Sequence, residues 1–193
     1  MEQGNGAKTM TIDWKPVSKT ALIVGVGAAA LFFLHAATEK SGFLVLDHVN
    51  LPIHEAGHPI FGLLGRTIGI WGGTIMELLV PLLFTVYFTV RGETPGTAFC
   101  AFWFGENFVY ISAYIADARA MVLPLVGGGE HDWNTILSGM GLLQRNTMIG
   151  DIVRILGWAI MIGAVLWFVS KRDRRTAREE EDRLSRPPGR RYE

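Results

Sequence analysis

The chain contains two histidines four residues apart, with a glutamate directly after the first, in the stretch LPIHEAGHPIFG at residues 51–62. Positions i and i+4 lie one turn apart on the same face of a helix, so His54 and His58 can direct a ring nitrogen at one metal ion. Glu55 lies beside the first histidine, where its carboxylate can reach a metal-bound water. In HExxH sites two histidines bind zinc and the glutamate takes a proton from water. The spacing therefore predicts His54 and His58 as zinc ligands and Glu55 as the catalytic base.

The alternative for these residues is a pair of interfacial histidines whose rings face solvent. Their neighbours disfavour it, because Leu51, Ile53 and Phe61 make the segment apolar enough to be buried. Burying polar and ionisable groups without a partner is costly. A bound metal ion removes that cost, so metal binding is the favoured interpretation.

A zinc site needs at least a third protein ligand, and two residues are candidates. Asp117 ends a polar stripe on the apolar run 96–117, where a rigid helix would hold its carboxylate. His131 follows three glycines in LPLVGGGEHDWNTIL, residues 123–137, and imidazole is a common zinc ligand. We expect Asp117 to be the ligand, with His131 as the alternative, and both would bind in a closed structural site.

Polar residues inside apolar runs are candidates for supporting roles, because such residues are rare within membranes and usually functional. Each has a simpler interpretation as a contact between helices. Asp132 can orient His131 or cap a helix that begins near Trp133. The stretch GIWGG at 69–73 permits close approach of another backbone. The predicted supporting residues are Glu77, Glu106, Asn107, Tyr114 and Asp132.

The elements that carry these residues are predicted to be membrane helices. Hydrophobic residues make up 49% of the 193-residue chain, and a helix crosses a hydrocarbon core with roughly 20 apolar residues. Four runs are long enough, namely 20–38, 69–90, 96–117 and 152–170. The sequence thus predicts an all-α, polytopic membrane helical bundle with about four transmembrane helices.

The HExxH segment is predicted to form a short or re-entrant helix between the first two runs. Asn50 can cap it, Pro52 fits its first turn, and it would end near Leu64. At 1.5 Å per residue such a helix is roughly 22 Å long, too short for a full crossing. A full crossing that starts near Phe43 is the rival interpretation.

Charge placement predicts the topology and the domain limits. Residues 1–19 form a polar tail with three lysines, 20–170 a membrane-embedded zinc-site domain, and 171–193 a charged tail. Because Lys and Arg favour the cytoplasmic side, both tails are expected there, which requires an even number of crossings. Residues 39–68 and 118–151 would then share the outer side.

Composition excludes several classes of protein. The formal net charge is zero, so the global basic field that favours nucleic acid is absent. Cys100 is the single cysteine, which rules out a disulfide within the chain and a cysteine-type zinc finger. The expected surroundings are the lipid bilayer, and self-association into a homo-oligomer is left open.

HEAGH in an apolar helix, followed by an aspartate on a later membrane helix, resembles the site-2 protease class of intramembrane zinc metalloproteases. HEAGH together with YIADA and GGGEHDW is also similar to small bacterial membrane proteins of the same broad type, over residues 45–145. The resemblance implies Zn²⁺, a bacterial inner (plasma) membrane location, and hydrolysis of peptide bonds in membrane or membrane-adjacent proteins. Asp117 matches the third ligand of that class by role.

The sequence is also compatible with two functions other than proteolysis. One is a non-proteolytic membrane protein with a structural metal, as a subunit of a larger complex. The other is a transporter or channel with an ion path along Glu77, Glu106 and Asp117. A catalytic zinc keeps one coordination position for water, whereas a structural zinc closes with four protein ligands. That difference separates the first alternative from the protease.

Overall fold

The computed structural model describes residues 12–39, 43–126 and 130–172, and its regular elements are helices. Within these ranges the sole strand-like pairing is an isolated bridge between Val17 and Arg172. The all-α prediction is confirmed, while most of both predicted tails lies outside the described residues. The helices are α1 Lys19–Thr38, α2 Asp47–Gly62, α3 Arg66–Val90, α4 Thr94–Asp117, α5 Asp132–Gly139 and α6 Asn146–Ser170, and a 3₁₀ turn, Leu143–Arg145, precedes α6.

Three of the four predicted membrane runs form helices that are long and apolar enough to cross a bilayer. They are Lys19–Thr38, Arg66–Val90 and Leu143–Ser170. α1 has no buried residue, and α3 and α6 expose many large apolar side chains. Such surfaces suit contact with lipid, because lipid tails are as apolar as the side chains that face them.

The fourth predicted run, 96–117, forms α4, which is not among these apolar helices. α4 has 24 residues, half of them buried, including Glu106, Asn107 and Asp117. It packs against both α3 and α6. A helix covered by neighbours can carry a polar face, since that face meets protein instead of lipid. The lower hydropathy of α4, compared with α1, α3 and α6, therefore follows from its central position in the bundle.

The HExxH helix begins earlier than predicted. α2 starts at Asp47, so Asn50 lies inside the helix instead of capping it. Its buried side chain donates to Glu106 at 2.8 Å and accepts from the indole of Trp103 at 2.7 Å. These tertiary partners on α4 replace the capping role. With 16 residues α2 is too short for a crossing, which agrees with a short helix and not with a full crossing from Phe43.

The long helices run in alternating directions. Near the start of α1, Lys15 donates to the carbonyl of Gly92 at 2.9 Å, and Val17 donates to Lys171 at 3.4 Å. The start of α1, the turn between α3 and α4, and the end of α6 therefore meet at one end of the bundle. α2 packs against the first half of α3, and α5 bonds to the end of α4, both away from that meeting point.

Glycine contacts bring neighbouring helices close together. Where α2 crosses α3, a Cβ on Gly57 would overlap the carbonyl oxygen of Gly72. A similar contact between Gly105 and Gly157 joins α4 to α6. Small residues allow this close approach between membrane helices, as GIWGG predicts for α3.

The glycine contact between α2 and α3 yields a prediction for stability. We expect Gly57→Ala to lower the free energy of unfolding by about 1–3 kcal/mol, because overpacking forces the backbones apart. Unfolding of the purified protein in detergent micelles measures the change. Gly27→Ala on α1 is the matched control, because a Cβ there meets nothing within 4 Å. Equal stability of the two variants would contradict the tight contact.

Candidate metal centre

α2 brings the two imidazoles of HEAGH to one carboxylate. The rings of His54 and His58 lie 4.9 Å apart between their centroids. Their Nε2 atoms approach the same oxygen, Oδ2 of Asp132, at 3.1 Å and 3.3 Å. Asp132 is the first residue of α5, 78 positions from His54 along the chain. The fold therefore assembles two nitrogens and one oxygen donor from distant parts of the sequence.

The spacing of these donors fits a metal ion. One ligand atom from each of His54, His58 and Asp132 lies within 4.8 Å of the others. In a tetrahedral zinc site with bonds of about 2.0–2.1 Å, neighbouring ligand atoms are about 3.3–3.4 Å apart. The distances from Asp132 to the two histidines are close to that value. The group can thus hold a metal ion.

The remaining ring nitrogens are held by partners that fix the orientation of the rings. Nδ1 of His58 donates to the carbonyl oxygen of Gly69 at 2.9 Å. Because a carbonyl can only accept, the lone pair of His58 lies on Nε2, the atom that faces Asp132. Nδ1 of His54 lies 3.2 Å from Oε2 of the buried Glu77. Carboxylate and carbonyl partners of this kind orient most metal-binding histidines.

The electrostatics of the group favour a positive charge. Burial alone would lower the pKa of His54, but its hydrogen bonds with Asp132 and Glu77 outweigh burial and raise that pKa to about 10. The carboxylates of Asp132 and Glu77 place negative charge around His54. Either a proton on His54 or a cation between His54 and Asp132 would neutralise that charge. The group therefore suits a cation chemically as well as sterically.

A glycine on α3 makes room for the first ligand. A Cβ on Gly73 would overlap the imidazole of His54, so this position accepts no side chain while the ring stays in place. Gly73 thus shapes the site through its missing Cβ. GIWGG predicts a close approach at this position, but no spacing in the sequence connects it to the histidine.

A cavity of about 770 Å³ opens onto the three donors and Glu55. Glu55 is half-buried and follows His54 on α2. The rim carries Arg66 and Glu130, whose charged groups lie 3.4 Å apart and whose side chains are exposed. A substrate can therefore reach the donors and Glu55 together. The apolar lining comes from Phe43, Leu51, Ile70, Ala113, Leu123, Pro124, Leu125 and Val126.

The structure brings a different carboxylate to the two histidines than the expected Asp117. Asp117 does not join the His54 group; its carboxylate oxygens accept the backbone N–H groups of Val122 and Leu123, each at 3.0 Å. His131 turns toward Asp117, with Nε2 3.4 Å from Oδ2. Its Nδ1 accepts from the N–H of Asn134 and caps α5. Asp132, expected only to support or cap, is the carboxylate that joins the two histidines in a group that could hold a metal ion.

The other predicted supporting residues divide between the site and the helix contacts. Tyr114 lies at the site, where its hydroxyl accepts the N–H of Asp132 at 3.2 Å. Glu77 contacts His54 as described. Glu106 instead bonds Asn50 where α2 meets α4, and Asn107 donates to the carbonyl of Trp103 within α4. Glu106 therefore connects α2 to α4, and Asn107 bonds within α4, both outside the group of donors.

Comparison with protein families, with curated proteins and with solved structures finds no match for this chain. The geometry of the site therefore carries the functional inference.

Metal analysis of the purified protein tests this centre. We expect about one metal ion per chain, lost when His54, His58 or Asp132 is changed to alanine, because each removes one of three donors. His48→Ala, on the exposed face of the same helix, is the matched control and should keep the metal. Full occupancy in the double variant of His54 and His58 would disprove the centre.

Proposed function

We propose that this protein is a membrane-embedded zinc metalloprotease that hydrolyses peptide bonds of membrane or membrane-adjacent proteins. One observation carries the proposal: a carboxylate oxygen of Asp132 lies within 3.3 Å of both Nε2 atoms of HEAGH, beside a cavity that Glu55 also lines. Two histidines, a carboxylate and a neighbouring glutamate form the set of groups that metal-assisted hydrolysis requires.

The residues of this chain have distinct roles in the proposed reaction. Zinc, when bound, would polarise the scissile carbonyl and lower the pKa of a water to about 7. His54, His58 and Asp132 would hold the ion, while Glu77 and the carbonyl of Gly69 keep the imidazoles oriented. Glu55 accepts the proton of the attacking water and delivers it to the leaving amine.

An open site favours the protease over a structural metal. Among the described residues, three protein ligands gather at the site, and the cavity adjoins them. A structural zinc has four protein ligands, whereas a catalytic zinc leaves one position for water. His131, the residue best placed in sequence to close the site, faces Asp117 instead.

The lining of the cavity favours a hydrophobic substrate. Its lining is mostly apolar, with the charged groups of Arg66 and Glu130 at the rim. It lies at the end of the bundle opposite the start of α1 and the end of α6. We propose that α1, α3, α4 and α6 cross a bacterial inner membrane, with both termini cytoplasmic and the cavity at the outer surface.

Glu55→Gln separates catalysis from metal binding. Hydrolysis of a quenched-fluorescence peptide library by the purified protein should fall at least about 100-fold, the usual contribution of a general base. The metal content should stay at the wild-type value, because Glu55 is not among the three donors. Asp151→Asn, which changes an exposed carboxylate on α6 outside the cavity, should retain activity. Unchanged hydrolysis in Glu55→Gln would exclude the proposed mechanism.

Thiol labelling in intact cells tests the proposed topology. Single cysteines replace Arg91 or Arg145 in a Cys100→Ala background. Arg91 follows α3 at the end that also holds the start of α1, and Arg145 precedes α6 at the other end. An impermeant reagent should therefore label the cysteine at 145 and not that at 91. The reverse pattern would mean an inverted orientation.

A further inference from the structure

Asp117 is a buried carboxylate that organises the chain after α4. The residue is 7% exposed, and its two oxygens accept the N–H groups of Val122 and Leu123. Its own carbonyl accepts the N–H of Met121, which has a φ of 50°. A non-glycine residue in this left-handed region needs support from its surroundings. The hydrogen bonds to Asp117 provide that support and turn the chain back over the end of α4.

The segment that Asp117 holds is a wall of the cavity. Leu123, Pro124, Leu125 and Val126 all line it. Asp117 binds the start of this wall directly, through the N–H of Leu123. The position of the wall relative to α4 therefore depends on one carboxylate.

The same carboxylate faces the residue that precedes the metal ligand. Oδ2 of Asp117 lies 3.4 Å from Nε2 of His131. Nδ1 of His131 accepts the N–H of Asn134, so the ring proton is on Nε2, which lies near Asp117 but outside hydrogen-bond geometry among the described residues. The ring also lies against Tyr114, with centroids 4.2 Å apart. His131 thus has the carboxylate of Asp117 beside one edge and the ring of Tyr114 against one face.

Holding His131 determines where Asp132 points. His131 caps α5, and Asp132 is its first residue. Successive residues of a helix differ by about 100° around the axis, so a turn of the cap would move the Asp132 carboxylate away from the histidines. The cap is a ring whose Nδ1 accepts the N–H of Asn134.

We propose that Asp117 is a positioning residue, which holds the metal ligand Asp132 through His131 and holds the 123–126 wall of the cavity directly. The proposal rests on the metal centre described above. It gives the predicted third ligand a different role: Asp117 acts through its neighbours without touching the ion. One carboxylate thereby coordinates the placement of the metal ligand and of the surface that contacts substrate.

Asp117→Asn tests the proposal, because an amide cannot make the same contacts. Its single oxygen can accept from Val122 or from Leu123, and its NH₂ group then faces a backbone N–H or the Nε2–H of His131. We expect the affinity of the full-length protein for Co²⁺, measured by chelator competition in detergent, to fall at least tenfold. Losses of 10–100-fold are typical when a supporting partner of a ligand is removed. The visible absorption bands of bound Co²⁺ should shift as the ligand geometry changes.

Two further variants complete this measurement. Asp151→Asn makes the same chemical change at an exposed carboxylate on α6 and should bind Co²⁺ as the wild type does. His131→Asn keeps a capping oxygen for Asn134 but removes the imidazole that faces Asp117, so it should also lose at least tenfold. Since both variants break the same connection, combining them should weaken binding no more than about twofold further. If Asp117→Asn is not monodisperse, His131→Asn carries the test alone.

The cavity wall has a readout that needs no metal. A cysteine in place of Leu123, in the Cys100→Ala background, should react with a thiol reagent at least several-fold faster when Asp117 is changed to asparagine. Asp151→Asn should leave the rate unchanged. An unchanged reaction rate in Asp117→Asn would show that Asp117 does not hold the 123–126 wall in place.

The outcomes separate this proposal from the proposed function. Wild-type Co²⁺ affinity and absorption bands in Asp117→Asn would overturn the positioning of Asp132 and leave the metal centre standing. A wild-type protein that binds no Co²⁺ would overturn both. Failure to hydrolyse peptides, with the expected change in Co²⁺ affinity, would overturn the protease and leave the positioning role intact.

Discussion

The close contact between α2 and α3 is the constraint on which the site depends. Gly57 and Gly72 bring the two backbones together, and Gly73 leaves room for the ring of His54. At that separation α3 supplies both partners of the imidazoles, the carbonyl of Gly69 and the carboxylate of Glu77. Larger residues at the contact would move α2 outward and remove both partners. The HExxH spacing places two histidines on one face, but the glycines of α3 give those rings a fixed direction.

A second constraint comes from burying polar groups inside an apolar bundle. Asp47, Asn50 and Glu106 are fully buried where α2 meets α4, and Asn50 bonds to both carboxylates and to Trp103. Burial raises the pKa of Asp47, although its hydrogen bonds oppose that shift. Such groups are costly unless they find partners. Their network attaches α2 to the central helix, so α2 is fixed by glycine packing on one side and by hydrogen bonds on the other.

Features with a regular period were predictable from the sequence, and features set by tertiary contact were not. Apolar runs predicted three long helices to within three residues and the start of α6 to within six, and the spacing of His54 and His58 identified two donors. The third donor of the group differs from the expected Asp117, because 130–132 offers three adjacent polar side chains whose directions differ by about 100° once a helix begins. Whether that helix starts at Asp132 or at Trp133 decides which one faces the histidines. The cap formed by His131 sets that start, and its contacts with Asp117 and Tyr114 leave no periodic signal.

The placement of Asp132 on α5 also explains how a ligand after a glycine-rich stretch can be held firmly. A donor on a free loop would lose affinity to the entropy of ordering that loop. α5 is short, but it buries Trp133, Ile136 and Leu137 against α3 and α4, with Trp133 lying 5.4 Å from Trp71 between ring centroids. Apolar burial thus anchors the helix before any ion binds. The position of α5 is therefore fixed by its apolar core, and the cap at His131 sets its start beside the open cavity.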